Sequence, residues 1–180
     1  VGSEMCIRDR LELAALSRVL VDADRVPAHC FLAVNASPSA ATDERLHEAL
    51  LSVRTPVVLE ITEHEPFPDG LVDALKPLRD NGIRLAIDDA GAGYASFKQM
   101  LQLRPDIVKI DGSLTSGIDR DPAKRALVTA IVRLCAETGA TTIAEAIERR
   151  DEQAMLTELG VAWGQGYLFG RPGDLRRASS

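Results

Sequence analysis

Two hydrophobic rhythms alternate along the 180-residue chain. Segments such as LELAALSRVLVDA (11–23) and DPAKRALVTAIVRLCAETG (121–139) space apolar residues three and four apart. That spacing predicts helices with one buried face. Between the helices lie short apolar runs: CFLAVN (30–35), PVVLEITE (56–63), IRLAID (83–88), DIVKID (106–111), ATTIAEAIE (140–148) and AWGQGYLF (162–169). Runs without strict alternation suit parallel strands covered on both faces. Further helices are predicted from about Thr42 to Val53 and over 68–82, 94–103 and 150–160. Asp43 and Glu44 fall in a first turn, Asp69 reads as a cap, and Asn81-Gly82 as a stop. Asp121 and Pro122 should open the helix that Gly139 ends, and Gly160 should stop the last one. Pro77 comes late in its helix and should kink or shorten it.

Strands and helices in strict alternation define an α/β protein, either a TIM-like (β/α) barrel or a doubly wound sheet. No dinucleotide fingerprint or P-loop is present, and GAG in DDAGAGY is too short for the former. Composition is that of a globular chain, 46% hydrophobic with a mean hydropathy of −0.02. A net charge of −6 offers no basic excess for a DNA or RNA polymer, although a small phosphorylated ligand needs only local charge. Cys6, Cys30 and Cys135 are scattered and odd in number, and read as reduced thiols of a cytoplasmic protein. No apolar run approaches a membrane span, which leaves open a membrane-tethered parent protein. The opening VGSEMCIRDR (1–10) fits nothing after it and reads as a non-native leader, and 173–180 as a frayed tail.

Each predicted strand ends in polar residues: Asn35, Glu60, Asp88 with Asp89, Lys109 with Asp111, Glu145, and Gln165. In a parallel barrel those ends converge on the face that carries the active site. The four carboxylates of Glu60, Asp88, Asp89 and Glu145, gathered there, would resist joint ionisation, and one lysine cannot neutralise them. Hard divalent cations can, and oxygen ligands suit Mg²⁺, Mn²⁺ or Ca²⁺ over zinc. Neighbouring Asp88 and Asp89 point different ways along a regular strand, an arrangement that two metals sharing one carboxylate could use. Each feature also has an ordinary explanation. Asp-Asp before Gly is commonly a turn or cap, Lys109 could snorkel from an edge, and Asn35 could serve a turn. Six such features at one structural address are harder to dismiss separately. His29, His47 and His64 form no zinc pattern; His47 is expected in solvent and His64 on the surface. Tyr94 and Phe97 are expected to anchor the glycine turn to the next helix, and Trp163 fits either core or the mouth of a site.

VLEITE, LAIDDAGAGYASF, RPDIVKIDGSL, TIAEAIE and GQGYLFGRP, in this order, resemble the EAL-type cyclic di-GMP phosphodiesterase domain over 11–172. The resemblance implies a TIM-like barrel and hydrolysis of cyclic di-GMP to linear pGpG with Mg²⁺ or Mn²⁺ in a two-metal site. Position by position it assigns Asn35, Glu60, Asp88, Asp89 and Glu145 to the metals. Lys109, Glu145 and Gln165 take catalytic roles beside the water and phosphate, with Glu63, Asp111 and Glu148 as supporting residues. It further implies a homodimer in the intact protein, with sensory or cyclase domains upstream.

The departures concern the start and two loops. The motif Glu-Ala-Leu, which should precede the Asn35 strand and add a metal ligand, is missing; LEL (11–13) and HEAL (47–50) lie at the wrong positions. The barrel is therefore expected to be incomplete at its N-terminus, exposing unpaired backbone and impairing activity. DDAGAG stands where the family has DDFGTG, and Ala146 stands where it has glycine. The main alternative is a catalytically inactive module that binds cyclic di-GMP or a protein. A Schiff-base lyase built on Lys109 ranks lower.

Overall fold

The computed structural model describes residues 11–16, 18–27, 29–62, 65–91 and 97–173. The chain forms two compact units, one running to Leu85 and one over Ala86–Gly173. The segment 1–10, read as a leader, and the 173–180 tail apart from Gly173 lie outside the described residues, as do Glu63, His64 and Tyr94.

In the first unit α1 is helical at 11–16 and 18–20, followed by a 3-10 turn at Ala23–Arg25. Strands β1 (Leu32–Ala36) and β2 (Val57–Ile61) pair in parallel, Leu32 opposite Val57 and Ala36 opposite Ile61. Every residue of β2 is buried, which is why its sequence reads as one apolar run around Glu60. α2 (Glu44–Ser52) buries Leu46 and Leu50, and α3 (Leu71–Asp80) buries Leu71, Leu75 and Leu78. Both pack on a 3-10 turn at Ala40–Thr42, whose small Ala40 and Ala41 allow close approach.

The caps correct two details of the pattern. Asp43 is the N-cap of α2, accepting from the Arg45 N–H, so the helix opens two residues after Thr42. At α3 the cap is Gly70 with φ +82°, not Asp69, and no side chain bonds there. Pro77 lies inside α3, which ends three residues later at Asp80; Asn81 then turns back, its side-chain amide donating to the Pro77 carbonyl at 2.9 Å.

The second unit carries β3 (Arg84–Ala90, beginning at the boundary), β4 (Ile107–Ile110), β5 (Thr141–Ala144) and β6 (Trp163–Gly164). Consecutive strands are parallel neighbours. Helices α4 (Phe97–Leu103), α6 (Pro122–Thr138) and α7 (Arg150–Glu158) follow their strands. A four-residue helix, α5 (Gly112–Thr115), follows β4 and was not visible in the pattern. α6 begins and ends where the sequence marks it: Asp121 accepts from the Ala123 and Lys124 N–H groups, and Gly139 closes the helix at φ +78°. Its Val128, Ile131 and Cys135 form the buried stripe. Burial pushes the Cys135 thiol up to about 11, so this cysteine is an inert core residue.

Two predicted strands are shorter than their apolar runs. β5 stops at Ala144 because Ala146 takes a left-handed conformation, φ +51°. β6 keeps two residues, since the chain turns at 167–169. Among the described residues no helix is long and apolar enough to cross a membrane.

Candidate metal centre

β3 contains a register shift between Ile87 and Ala90. Asp88 and Asp89 occupy that bulge, and Asp89 has φ +52°. In a regular strand the two side chains would face opposite layers. A bulge with a left-handed residue turns the second one back. The outcome is a cluster: one carboxylate oxygen from each of Asp88, Asp89 and Glu145 lies within 4.8 Å of the others. Oxygens around a hard cation, each about 2.0–2.6 Å from it, sit at most about 4–5 Å apart. The donor set therefore fits such a cation without moving the backbone.

Lys109 completes the cluster from β4. Its ammonium donates to Asp88 Oδ1 at 2.8 Å and pairs with Glu145 Oε1 at 2.7 Å, with the lysine 7% exposed. It is neither an edge residue nor a snorkelling one. Fully ionised, three carboxylates and one ammonium sum to −2, the charge that one divalent cation cancels. Burial raises the Glu145 carboxyl above the ordinary range; the Lys109 partner pulls it down, and Asp88 and Asp89 add repulsion.

Backbone contacts hold the strand ends that present these groups. The Glu145 N–H donates to the Ile110 carbonyl at 3.0 Å, and the Asp111 N–H to Ala90 at 3.3 Å. Beyond β5, Ile147 N–H donates to the Gln165 carbonyl at 3.0 Å, and Leu168 N–H to Ile147 at 3.0 Å. A Cβ on Gly166 would stand 2.3 Å from the Ile147 N and O atoms, so only glycine lets these two segments meet. Gln165 lines an open groove of about 600 Å³ together with Tyr167, Phe169 and Arg171, whose guanidinium lies 4.5 Å above the Tyr167 ring. Trp163 is 47% exposed in β6.

The remaining predicted residues divide among other places. Asn35 and Glu60 belong to the first unit and are register partners, so their side chains leave the same face of the β1–β2 pair; Glu60 is buried and Asn35 exposed. Asp111 is the N-cap of α5, accepting from the Ser113 N–H at 2.8 Å. Glu148 is exposed, and its N–H donates to Glu152. Phe97 is 46% exposed, and the turn it was expected to anchor lies outside the described residues. His47 is half-buried rather than in solvent, its Nε2 2.8 Å from the Ala41 carbonyl.

Three residues with structural tasks escaped the sequence reading. Glu12 accepts from Ser37, from its N–H at 2.6 Å and its hydroxyl at 3.0 Å, and so ties α1 to the segment after β1. Glu152 accepts from the N–H groups of Gly117, Glu148 and Arg149. Burial works to raise its carboxyl, but these donors and the Arg149 guanidinium hold it below the usual range. Arg149 also pairs with Asp119, which lies in the segment between α5 and α6. Glu152 makes the ordinary N3 half of a capping box; the other half is missing because the Arg149 guanidinium cannot accept, so the usual Ser or Thr at the cap is not there to point to it.

Comparison with known proteins agrees with this architecture. The chain is 38% identical over 121 residues to the probable cyclic di-GMP phosphodiesterase PdeA of Escherichia coli K12, covering 66% of this chain and 17% of that protein. It is 31% identical over 150 residues to the cyclic di-GMP phosphodiesterase RocR of Pseudomonas aeruginosa, covering 78% of this chain and 38% of that one. The calcium and cyclic di-GMP complex of Klebsiella pneumoniae BlrP1 superposes with a TM-score of 0.83 at 34% identity, over 92% of this chain and 45% of BlrP1. The α/β, TIM-barrel-like expectation holds through that similarity. The chain thus spans less than half the length of each of these relatives. The family description "EAL domain" matches residues 4–172, starting inside the segment read as a leader. On that match, which runs over nearly the whole chain and takes in the Asp88–Asp89–Glu145 cluster, the protein belongs to the EAL domain family.

Proposed function

We propose that this chain is part of a phosphodiesterase that hydrolyses cyclic di-GMP to linear pGpG with the help of divalent cations. The observation that carries the reading is the Asp88–Asp89–Glu145 carboxylate cluster with Lys109 held inside it. RocR and PdeA support the substrate, and the calcium and manganese complexes of BlrP1 with cyclic di-GMP support the cation.

The product fixes the bond that breaks. A water oxygen bonds to phosphorus, the P–O bond to the ribose 3′ oxygen breaks, and that oxygen leaves with a proton; the phosphate stays on the 5′ side. A cation held by Asp88, Asp89 and Glu145, with a second drawing on Asn35 and Glu60, would supply Lewis acidity and a water of lowered pKa. Mg²⁺ and Mn²⁺ are the preferred ions in this reading. The chain's own part is orientation and charge. Asp88 and Glu145 grip the Lys109 ammonium from two sides, fixing a positive charge where the phosphoryl oxygens gain negative charge. Gln165 orients the water, and its segment is held by the Ala144 and Ile147 backbone bonds. The reading extends to a cytoplasmic setting, from the scattered cysteines, and to a homodimer with room for sensory or cyclase domains in the intact protein, from the resemblance.

Chromatographic detection of pGpG after incubation with cyclic di-GMP and Mg²⁺ or Mn²⁺ tests the proposal. Impaired turnover is expected of this chain, which lacks the Glu-Ala-Leu ligand, and full turnover of a domain that carries it; in that complete domain Asp88→Asn should lower turnover by about two orders of magnitude or more. Binding of the nucleotide with no pGpG from that domain would favour the inactive receptor instead.

A further inference from the structure

We infer that Thr115, on the short helix α5, is a positioning residue that sets the direction of Glu145 toward the cation. The inference rests on the reading that Glu145 is a metal ligand.

Glu145 follows the last residue of β5, and Ala146 turns the chain away at φ +51°. The Glu145 N–H still finds the sheet, at the Ile110 carbonyl, but its own carbonyl has passed the end of the ladder. Among the described residues, its donor is the Thr115 hydroxyl, at 2.5 Å. That hydroxyl also lies 3.1 Å from the Asp111 carbonyl. It has one proton, and the shorter contact is to Glu145. Thr115 is 0% exposed, so no water replaces the bond.

The rest of α5 braces the same place. A Cβ on Gly112 would stand 2.8 Å from the Ala146 Cβ, so the helix lies directly against the turn. On the other side, a Cβ on Gly91 would stand 2.3 Å from Leu114 Cδ1, which places α5 also against the turn after Asp88 and Asp89. One helix of four residues, with Leu114 and Thr115 buried, therefore touches both chain segments that supply the carboxylates. Within it, Thr115 makes the directional contact, a hydrogen bond to the backbone of a ligand residue. Partners of this sort typically change metal affinity by about 10–100-fold when removed.

The test compares Thr115→Val, which keeps the shape and loses the donor, with Thr115→Ser, which keeps the donor. Two readouts are taken on the full chain: amide hydrogen exchange at Glu145 and Ile147 without metal, and Mn²⁺ affinity by titration calorimetry. Thr115→Val should exchange at least about tenfold faster at these amides and bind Mn²⁺ about tenfold more weakly. Thr115→Ser should restore both. If Thr115→Val does not fold, Thr115→Cys, a weaker donor of similar size, should show the same direction. Wild-type exchange and affinity in Thr115→Val, or equal losses in Thr115→Ser, would overturn the inference. A parent chain that takes up no Mn²⁺ would sink the cation reading, and the exchange data alone would then decide whether Thr115 anchors Glu145.

Discussion

The Lys109 ammonium lies 2.7 Å from Glu145 Oε1, yet burial still lifts the Glu145 carboxyl above its ordinary range. The pair is thus under-compensated without metal, and acid should be felt in two opposite ways. A carboxyl whose folded value is raised binds more protons folded than unfolded. Its charge therefore costs stability above the folded value, and that cost disappears as pH falls below the unfolded value of about 4.3. Glu145→Gln should raise the melting temperature of the metal-free chain at neutral pH, with the gain vanishing toward pH 4. Calorimetric Mn²⁺ titrations should run the other way, affinity falling as pH drops through the Glu145 titration, because the cation must displace a proton. A pH-independent affinity would remove Glu145 from the ligand set.

Lys109→Met should expose the charge balance. Without the ammonium, three carboxylates face one another in a largely buried cluster, and losing one partner of such a set costs about 3–5 kcal/mol. Saturating Mn²⁺ should shrink that deficit relative to the parent chain, since the three carboxylates left without the ammonium bind the cation more tightly and so gain more from it. Melting curves in chelator and in Mn²⁺ check this. An equal deficit in both would mean that Lys109 supports packing alone.

Ala146→Gly should stabilise the chain. A non-glycine residue in the left-handed region costs about 1–2 kcal/mol, and Ala146 sits there at φ +51°. A rise in melting temperature of about 2–4 °C is expected for a chain of this size. A fall would show that backbone freedom, not strain, dominates at this turn.

Gly166→Ala should do the reverse. The added methyl group would meet backbone atoms of Ile147, at 2.3 Å, which cannot rotate aside. A loss of about 3 kcal/mol is expected, together with faster amide exchange at Ile147, whose N–H bonds to the Gln165 carbonyl. Unchanged urea unfolding would mean that the two segments can separate at little cost.

The long, punctuated elements could be read directly from the chain. α6 carries an aspartate cap, a proline in its first turn, a helical stripe and a closing glycine, so local chemistry and tertiary packing agree. The strands were legible as apolar runs, and the polar residues at the ends of β3, β4 and β5 were the signal for the Asp88–Asp89–Lys109–Glu145 cluster. What escaped depends on one or two dihedral angles. α5 has four residues, one of them glycine, too few for any period to show. The end of β5 hides inside TIAEAIE, because alanine at a left-handed position leaves no letter that marks a turn. The buried Lys109 reads the same in sequence as a surface lysine, and only the strands on either side make it a partner of two acids.

The bulge in β3 separates two things usually thought to travel together. Its apolar residues Leu85, Ala86 and Ile87 are buried before the bulge begins, and Ala90 is buried after it. The hydrophobic layer is continuous across the irregularity, while the aim of Asp89 depends on it entirely. A deletion of one residue at this point would let the strand run straight, keep its interior contacts and send that carboxylate to the opposite layer. A descendant of this chain could therefore lose the carboxylate cluster in a single genetic step and still persist as a well-folded protein, free to be selected for other contacts.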